Sequence, residues 1–259
     1  MPQIDDDLQG CRVLVTRPLA QADALCEGIT QAGGIALHQP ALAIEAVHDA
    51  ASQHRCQSAA EYDWLIFIRL NAVQPPRHCL PASLPETVKV AAIGQATASV
   101  LSGAGVQVDL ISKGSGTSES LLTEPELAKV TGQRVLILRG EGGRECLAET
   151  LRGRGAPVDY ADLYRRVRPV TSPGELSRLL DAGIDILTVA SGETLDNLLA
   201  LAAEEQREIT SLPLVVMSER LLTLARERGF TDTVIIAKET SDKGMVEAIR
   251  QWREMVTTE

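Results

Sequence analysis

The stretch LILRGEGGRECL, residues 136–147, runs an apolar strand signal into a glycine cluster and then into a helical pattern. Taken alone it has the look of a phosphate-cradling turn. Beside CRVLVTRPLAQADAL, residues 11–25, it becomes one half of a repeat. A shift of 122 positions lays Arg12-Val13-Leu14-Val15 on Arg134-Val135-Leu136-Ile137, Leu25 and Ile29 on Leu147 and Leu151, and Gly33 on Gly155. It also carries DWLIF at Asp63 onto DILTV at Asp185. A shift of 124 lays VAAIG, ending at Gly94, on LVVMS, ending at Ser218, and TSESLL from Thr117 on SDKGMV from Ser241. After RVLVT, the residues Ala22, Leu25, Cys26 and Ile29 fall on one helical face, and Gly33-Gly34 stops that helix. Each half holds three strand–helix units in one order. The expected fold is α/β, with parallel sheets covered by helices on both faces.

A chain of 259 residues fits one large domain or two ordinary ones. Only two Trp, two Phe and three Tyr are present, so the cores must be built from Leu, Val, Ile and Ala. That palette suits buried parallel strands. The net charge of −10, with no basic run, argues against a nucleic-acid partner. An anionic ligand would need a local site of Arg side chains, amides and helix N-termini. The five cysteines are scattered and never form a C-x-x-C pair, which fits a reducing compartment without disulfide or zinc. The acidic start MPQIDDDLQG is no signal peptide, and no apolar run approaches the roughly 20 residues of a membrane span. His38, His48, His54 and His78 form no His-x-x-x-His pair. A cytoplasmic protein without metal or cofactor is expected.

The glycine cluster does not bind a nucleotide on this reading. Gly140-x-Gly142 is followed by Glu145 where a dinucleotide fingerprint needs its third glycine, and no Gly-Lys-Ser/Thr is present. The equivalent turn in the first half, Thr16-Arg17-Pro18, has no glycine. What the two turns share is position: each follows a strand and feeds a helix, which is where open α/β sheets bind ligands.

Further landmarks are VLVTRP (13–18), LIFIRLNAV (65–73), VAAIGQATASVLSGAGV (90–106), YRRVRP (164–169), TVASGETLDNL (188–198) and SERLLTLARERGF (218–230). In order and spacing, this set resembles the uroporphyrinogen-III synthase family over nearly the whole chain. The resemblance implies two flavodoxin-like α/β domains facing each other across a cleft. One is discontinuous, residues 1–38 with 168–259. The other spans 46–160, and extended connectors at 38–46 and 160–168 join them. It also implies a single small-molecule partner, hydroxymethylbilane, while the repeated units suggest a monomer. A non-catalytic two-domain binding or sensor module for a polyanionic small molecule is the competing expectation.

The family's substrate carries eight carboxylates and a labile hydroxymethyl group. Hydroxide leaves, ring D attacks to form a spiro intermediate, and recombination inverts that ring; without enzyme the chain closes unturned. Positioning supplies much of such catalysis, and a donor to the leaving oxygen supplies more. The resemblance assigns that donor to Tyr164, since a phenol titrating near pH 10 stays protonated at neutral pH. Its counterpart under the 122 shift is Leu42, so the connector alone does not demand a phenol. Carboxylates are expected at the strand ends: Thr16 and Arg17, Asn71, Gly94 to Thr97, Arg139 and Gly140, Ser191 and Gly192, and Ser218 to Arg220. Ile68-Arg69-Leu70 departs from the small polar residues the family carries there. Pro75-Pro76 in QPPRHCLPASLP (74–85) should break any helix at that point.

Overall fold

The computed structural model describes residues 7–69, 80, 81, 83–114, 116–143, 145–172, 174–203 and 205–257. The chain divides into two compact units, Met1–Ala43 with Val167–Glu259, and Ile44–Arg166.

In the first unit the strands are β1 (Arg12–Val15), β2 (Ile35–His38), β9 (Ile186–Val189), β10 (Leu214–Val216) and β11 (Val234–Ile236). All pair in parallel, in the order β11-β10-β9-β1-β2. Counted along the chain this is 2-1-3-4-5, the flavodoxin-type order, which reverses between β1 and β9. One face of the sheet packs Leu14, Leu187 and Val216 against Leu195 and Leu198 of α7 (Gly192–Ala202) and Leu221 of α9 (Glu219–Glu227). The other packs Val13, Val15 and Val215 against Leu25 and Ile29 of α1 (Asp23–Gln31) and Met245, Ile249 and Trp252 of α10 (Asp242–Thr257). Each fully buried Leu or Ile contributes about 2 kcal/mol relative to exposure. The shorter helices α6 (Glu175–Asp181) and α8 (Gln206–Thr210) extend the first of these cores through Leu176 and Ile209.

The second unit holds β3 (Ala43–Ala46), β4 (Trp64–Phe67), β5 (Lys89–Ala92), β6 (Leu110–Ile111), β7 (Val135–Gly140) and β8 (Val158–Val167), in the order β3-β8-β7-β4-β5-β6. The pairings of β8 with β7, β7 with β4, β4 with β5 and β5 with β6 are parallel. Counted from β7, these five repeat the 2-1-3-4-5 order as a circular permutation, with the reversal between β7 and β4. Leu65, Phe67, Leu136 and Leu138 face α2 (Ala50–Gln57) and α3 (Gln95–Gly103), while Trp64, Ile66, Val135 and Ile137 face α4 (Ser118–Leu122) and α5 (Cys146–Gly153). Strands buried on both faces explain the near-continuous apolar runs in the sequence.

Among the described residues no helix is long and apolar enough to cross a membrane. Asn71, His78, Cys79 and most of 74–85 lie outside the described residues.

Gly244, in the first turn of α10, offers a stability test. A methyl there would press into the carbonyl of Glu239, whose carbon would lie 3.0 Å away. Helix propensity favours Ala over Gly by about 1 kcal/mol, but overpacking against backbone costs about 1–3 kcal/mol. Gly244→Ala is therefore expected to lower the urea midpoint; a raised midpoint would contradict this packing.

Candidate functional site

At the reversal in the first unit, β1 and β9 are stapled by their own hydroxyls. The Thr16 hydroxyl donates to the Thr188 carbonyl at 2.6 Å, and the Thr188 hydroxyl donates to the Leu14 carbonyl at 3.0 Å. Thr16 has no exposed surface, so its hydroxyl is committed to the sheet. Arg17 is turned inward as well. Its guanidinium pairs with Asp242, the first residue of α10, and lies 3.6 Å from the Met245 sulfur. Its carbonyl accepts from His38 Nε2 at 2.9 Å.

One step along the sheet, the ends of β9 and β10 open into a depression of about 500 Å³ lined by Ser191, Gly192, Ser218, Arg220, Leu224 and Glu227, among others. Ser191 and Ser218 are the N-caps of α7 and α9, and each follows its strand closely. Their hydroxyls accept from the amides of Thr194 at 3.2 Å and Leu221 at 3.3 Å. A helix leaves its first amides without partners inside the helix, and one cap satisfies only one of them. Two helix N-termini thus bring amide donors and positive dipole ends to one hollow. Gly192 sits so close to α9 that a methyl would lie 2.8 Å from Leu224 Cδ2. Arg220 is exposed, and its side chain takes part in no hydrogen bond or ion pair among the described residues. A cation in the first turn opposes the helix dipole. That placement gains nothing for the helix, whose dipole is met by Glu219 as that of α7 is by Glu193, and it sets one cation in a hollow that Glu227 also lines.

In the second unit, Gly94 caps α3 at φ 81°, and its amide donates to Ser112 Oγ at 3.0 Å. Thr97 is only 3% exposed. Arg139, on β7, is a buried hub. Its Nε donates to Asp162 at 3.0 Å, and its Nη1 donates to Glu145 at 2.9 Å and to the Gly143 carbonyl at 3.3 Å. The guanidinium also stacks 3.6 Å from the centre of the Tyr160 ring. Burial pulls the Arg139 pKa down, but the bonds to Glu145 and Asp162 outweigh it and hold it above its ordinary value. Tyr160 donates to the second Glu145 oxygen at 2.5 Å. Burial and this bond push the phenol up to about 12, while Tyr160 and then Arg139 hold the Glu145 carboxyl below its usual range. The result is a stapled glycine turn, and a substrate carboxylate reaching Arg139 would have to displace an internal partner.

Tyr164 is 3% exposed and packs with Ala161, Leu163, Leu138 and Phe67. Its ring lies over Gly140 at the carboxyl end of β7. Arg69 is exposed, two residues after the end of β4. Asn71 falls outside the described residues. Among the described residues no group of three or more His, Cys, Asp or Glu side chains is arranged to hold a metal.

The structure therefore gathers Ser191, Gly192, Ser218 and Arg220 into one hollow, and Arg139, Gly140 and Tyr164 around one turn. It leaves Thr16 and Arg17 tied into the sheet and helix beside them. Sequence reading passed over Asp162, Tyr160 and Glu145. The signal was there: Tyr160 and Asp162 alternate onto one strand face, opposite an Arg that needs partners when buried.

Arg220→Ala is expected to leave the unfolding free energy within about 0.5 kcal/mol of wild type, as for other exposed positions without a side-chain partner. Anion affinity should fall about tenfold, the worth of one charge-assisted bond. The salt dependence of binding should also become shallower. Unchanged affinity at low salt would remove Arg220 from the site.

A family model described as Uroporphyrinogen-III synthase HemD matches residues 23–247. The chain is 33% identical to the uroporphyrinogen-III synthase of Salmonella typhimurium over 248 residues, 92% of this chain and 99% of that protein. It is also 33% identical to the Escherichia coli protein of the same name, over 92% of this chain and 99% of the relative. Among solved structures, uroporphyrinogen-III synthetase from Helicobacter pylori superposes with a TM-score of 0.61 at 14% identity, covering 96% of this chain and all of the other. A mutant uroporphyrinogen III synthase from Thermus thermophilus gives 0.60 at 19% identity, over 96% and 100% of the two chains. At those identities the structural likeness speaks for the fold.

Proposed function

The chain belongs to the uroporphyrinogen-III synthase family, and from that premise we propose that it closes hydroxymethylbilane, with loss of water and inversion of ring D, to uroporphyrinogen III. The site observation that supports this is the hollow between the N-termini of α7 and α9 with its unpaired Arg220, an anion receptor on a chain of net charge −10. A substrate bearing eight carboxylates is suited to several such receptors. Ser191, Gly192, Ser218 and Arg220 receive carboxylates in the first unit, and in the second the first amides of α3, just after its cap Gly94, do so. Thr16, Arg17, Thr97 and Arg139 enter this reading as residues that hold the strand ends in place. Tyr164 donates a proton to the departing hydroxyl, and Asn71 keeps its assignment from the family alone.

The family reading also supplies two facing domains, residues 1–38 with 168–259 and residues 46–160, with connectors at 38–46 and 160–168; the repeated units and the scattered cysteines add a monomer in the cytoplasm to the proposal. No cofactor or metal takes part, because ionisation of the hydroxymethyl group is intrinsic to the substrate. The enzyme selects a conformer and eases hydroxide departure.

Freshly made hydroxymethylbilane, incubated with the protein, oxidised and separated by chromatography, tests the assignment. Isomer III in excess is expected. Isomer I alone, as in the enzyme-free control, would reject the synthase activity and favour a non-catalytic binding module.

A further inference from the structure

Tyr164 does not lie where its strand would put it. Along β8, Val158 and Tyr160 belong to the core on one face of the sheet, and Ala161 and Leu163 to the core on the other. Strict alternation assigns residue 164 to the face of Tyr160, yet Tyr164 packs with Ala161 and Leu163. The cause is a register shift. Arg139 lies opposite Asp162, but Gly140, the next residue of β7, lies opposite Tyr164. One extra residue in a strand breaks the alternation and re-aims the side chain that follows. Both sides of the shift are fixed. Arg139 Nε binds Asp162 just before it, and the Glu141 amide donates to the Tyr164 carbonyl just after it, at 2.8 Å.

The re-aimed ring needs space, and Gly140 provides it. A methyl at Gly140 would lie 2.5 Å from Cε2 and Cζ of Tyr164 and 2.9 Å from its hydroxyl oxygen. Carbon atoms settle at about 3.5–4.0 Å, so that methyl would drive the phenol away by about 1 Å. Gly140 is not among the glycines with positive φ. Its backbone would accept any residue, and only the ring demands a glycine. We infer that Gly140 is a positioning residue for the reaction: its missing side chain, together with the register shift, sets the Tyr164 hydroxyl at the carboxyl end of β7. This rests on the donor role proposed for Tyr164 and deepens it. Simple core packing would explain a buried tyrosine, but it makes no link between residue 140 and the hydroxyl.

A double-mutant cycle separates these cases, with rates counted as isomer III, which the spontaneous reaction does not supply. Gly140→Ala is expected to lower kcat about 100-fold, the usual consequence of a 1 Å misplacement, with KM within a few-fold of wild type. In a Tyr164→Phe background the same change should alter kcat by less than about 3-fold, because the hydroxyl it would misplace is gone. Equal losses in both backgrounds, or no loss in either, would overturn the positioning role. Wild-type kcat in Tyr164→Phe alone would instead remove the donor role, a distinguishable failure. Should Gly140→Ala fail to fold, Asp162→Asn loosens the clamp before the shift and enters the same cycle, with a loss of several-fold expected only when the hydroxyl is present.

Discussion

Tyr164→Phe should lower kcat for isomer III formation by about 100-fold or more while leaving product affinity near wild type. A positioned donor to a leaving group contributes about 10²–10⁴-fold, and 100-fold corresponds to about 2.7 kcal/mol of barrier. The substitution keeps the ring that fills the space over Gly140, so the core around Ala161, Leu163 and Leu138 loses no volume. The stability cost is then that of one hydroxyl interaction, about 1 kcal/mol, or a shift of about 2–4 °C in Tm. A variant that turns over at the wild-type rate would leave Tyr164 as packing alone.

Arg139→Ala should act through stability. The guanidinium binds two carboxylates and a carbonyl and stacks on Tyr160. Without it, Asp162 and Glu145 lose their shared cation, and the turn from Gly140 to Glu145 loses its tether. Removing one partner from a buried ion pair costs about 3–5 kcal/mol. Here the carboxylates are a third to a half exposed, so solvent screens part of the loss. A net cost of about 3 kcal/mol is expected, lowering Tm by roughly 6–12 °C. Arg139→Lys should recover little, because a single ammonium cannot reproduce the fork that reaches Asp162, Glu145 and Gly143 together. A variant with unchanged Tm but tenfold weaker product binding would make Arg139 a ligand of the substrate instead of a clamp.

Much of the sheet architecture was legible because parallel strands buried on both faces leave an unbroken apolar trace. RVLVT, DWLIF, VAAIG, RVLIL, DILTV and LVVMS correspond to β1, β4, β5, β7, β9 and β10, within a residue or two at each end. The helical face of Leu25 and Ile29 is buried in α1, and Gly33, at φ 81°, follows that helix within two residues. The short or half-exposed strands left weaker traces: β2 exposes Ile35 at the sheet edge, and β6 is two residues long.

The site was legible as a set of positions and opaque as a set of contacts. Ser191 and Ser218 could be marked as strand-end residues because each follows an apolar run. That they line one hollow depends on β9 and β10 being neighbours, which is a property of strand order. Arg17 and Arg139 read as candidate anion ligands because sequence records a charge but not its partner. Asp242 lies 225 residues beyond Arg17, and Asp162 lies 23 beyond Arg139 on the next strand. The register shift at Gly140 is the least visible feature, since one extra residue in β8 inverts the alternation from which a side chain's face is read.

Mapping the amides that respond to product tests the central claim most directly, namely that the substrate's carboxylates are received by helix N-termini at the carboxyl ends of parallel strands. In an anaerobic NMR titration of the labelled protein with uroporphyrinogen III, the amides of Gly192, Glu219 and Arg220 are expected to move together with a common saturation. Perturbations that leave those three amides still while the product saturates elsewhere on the protein would contradict it.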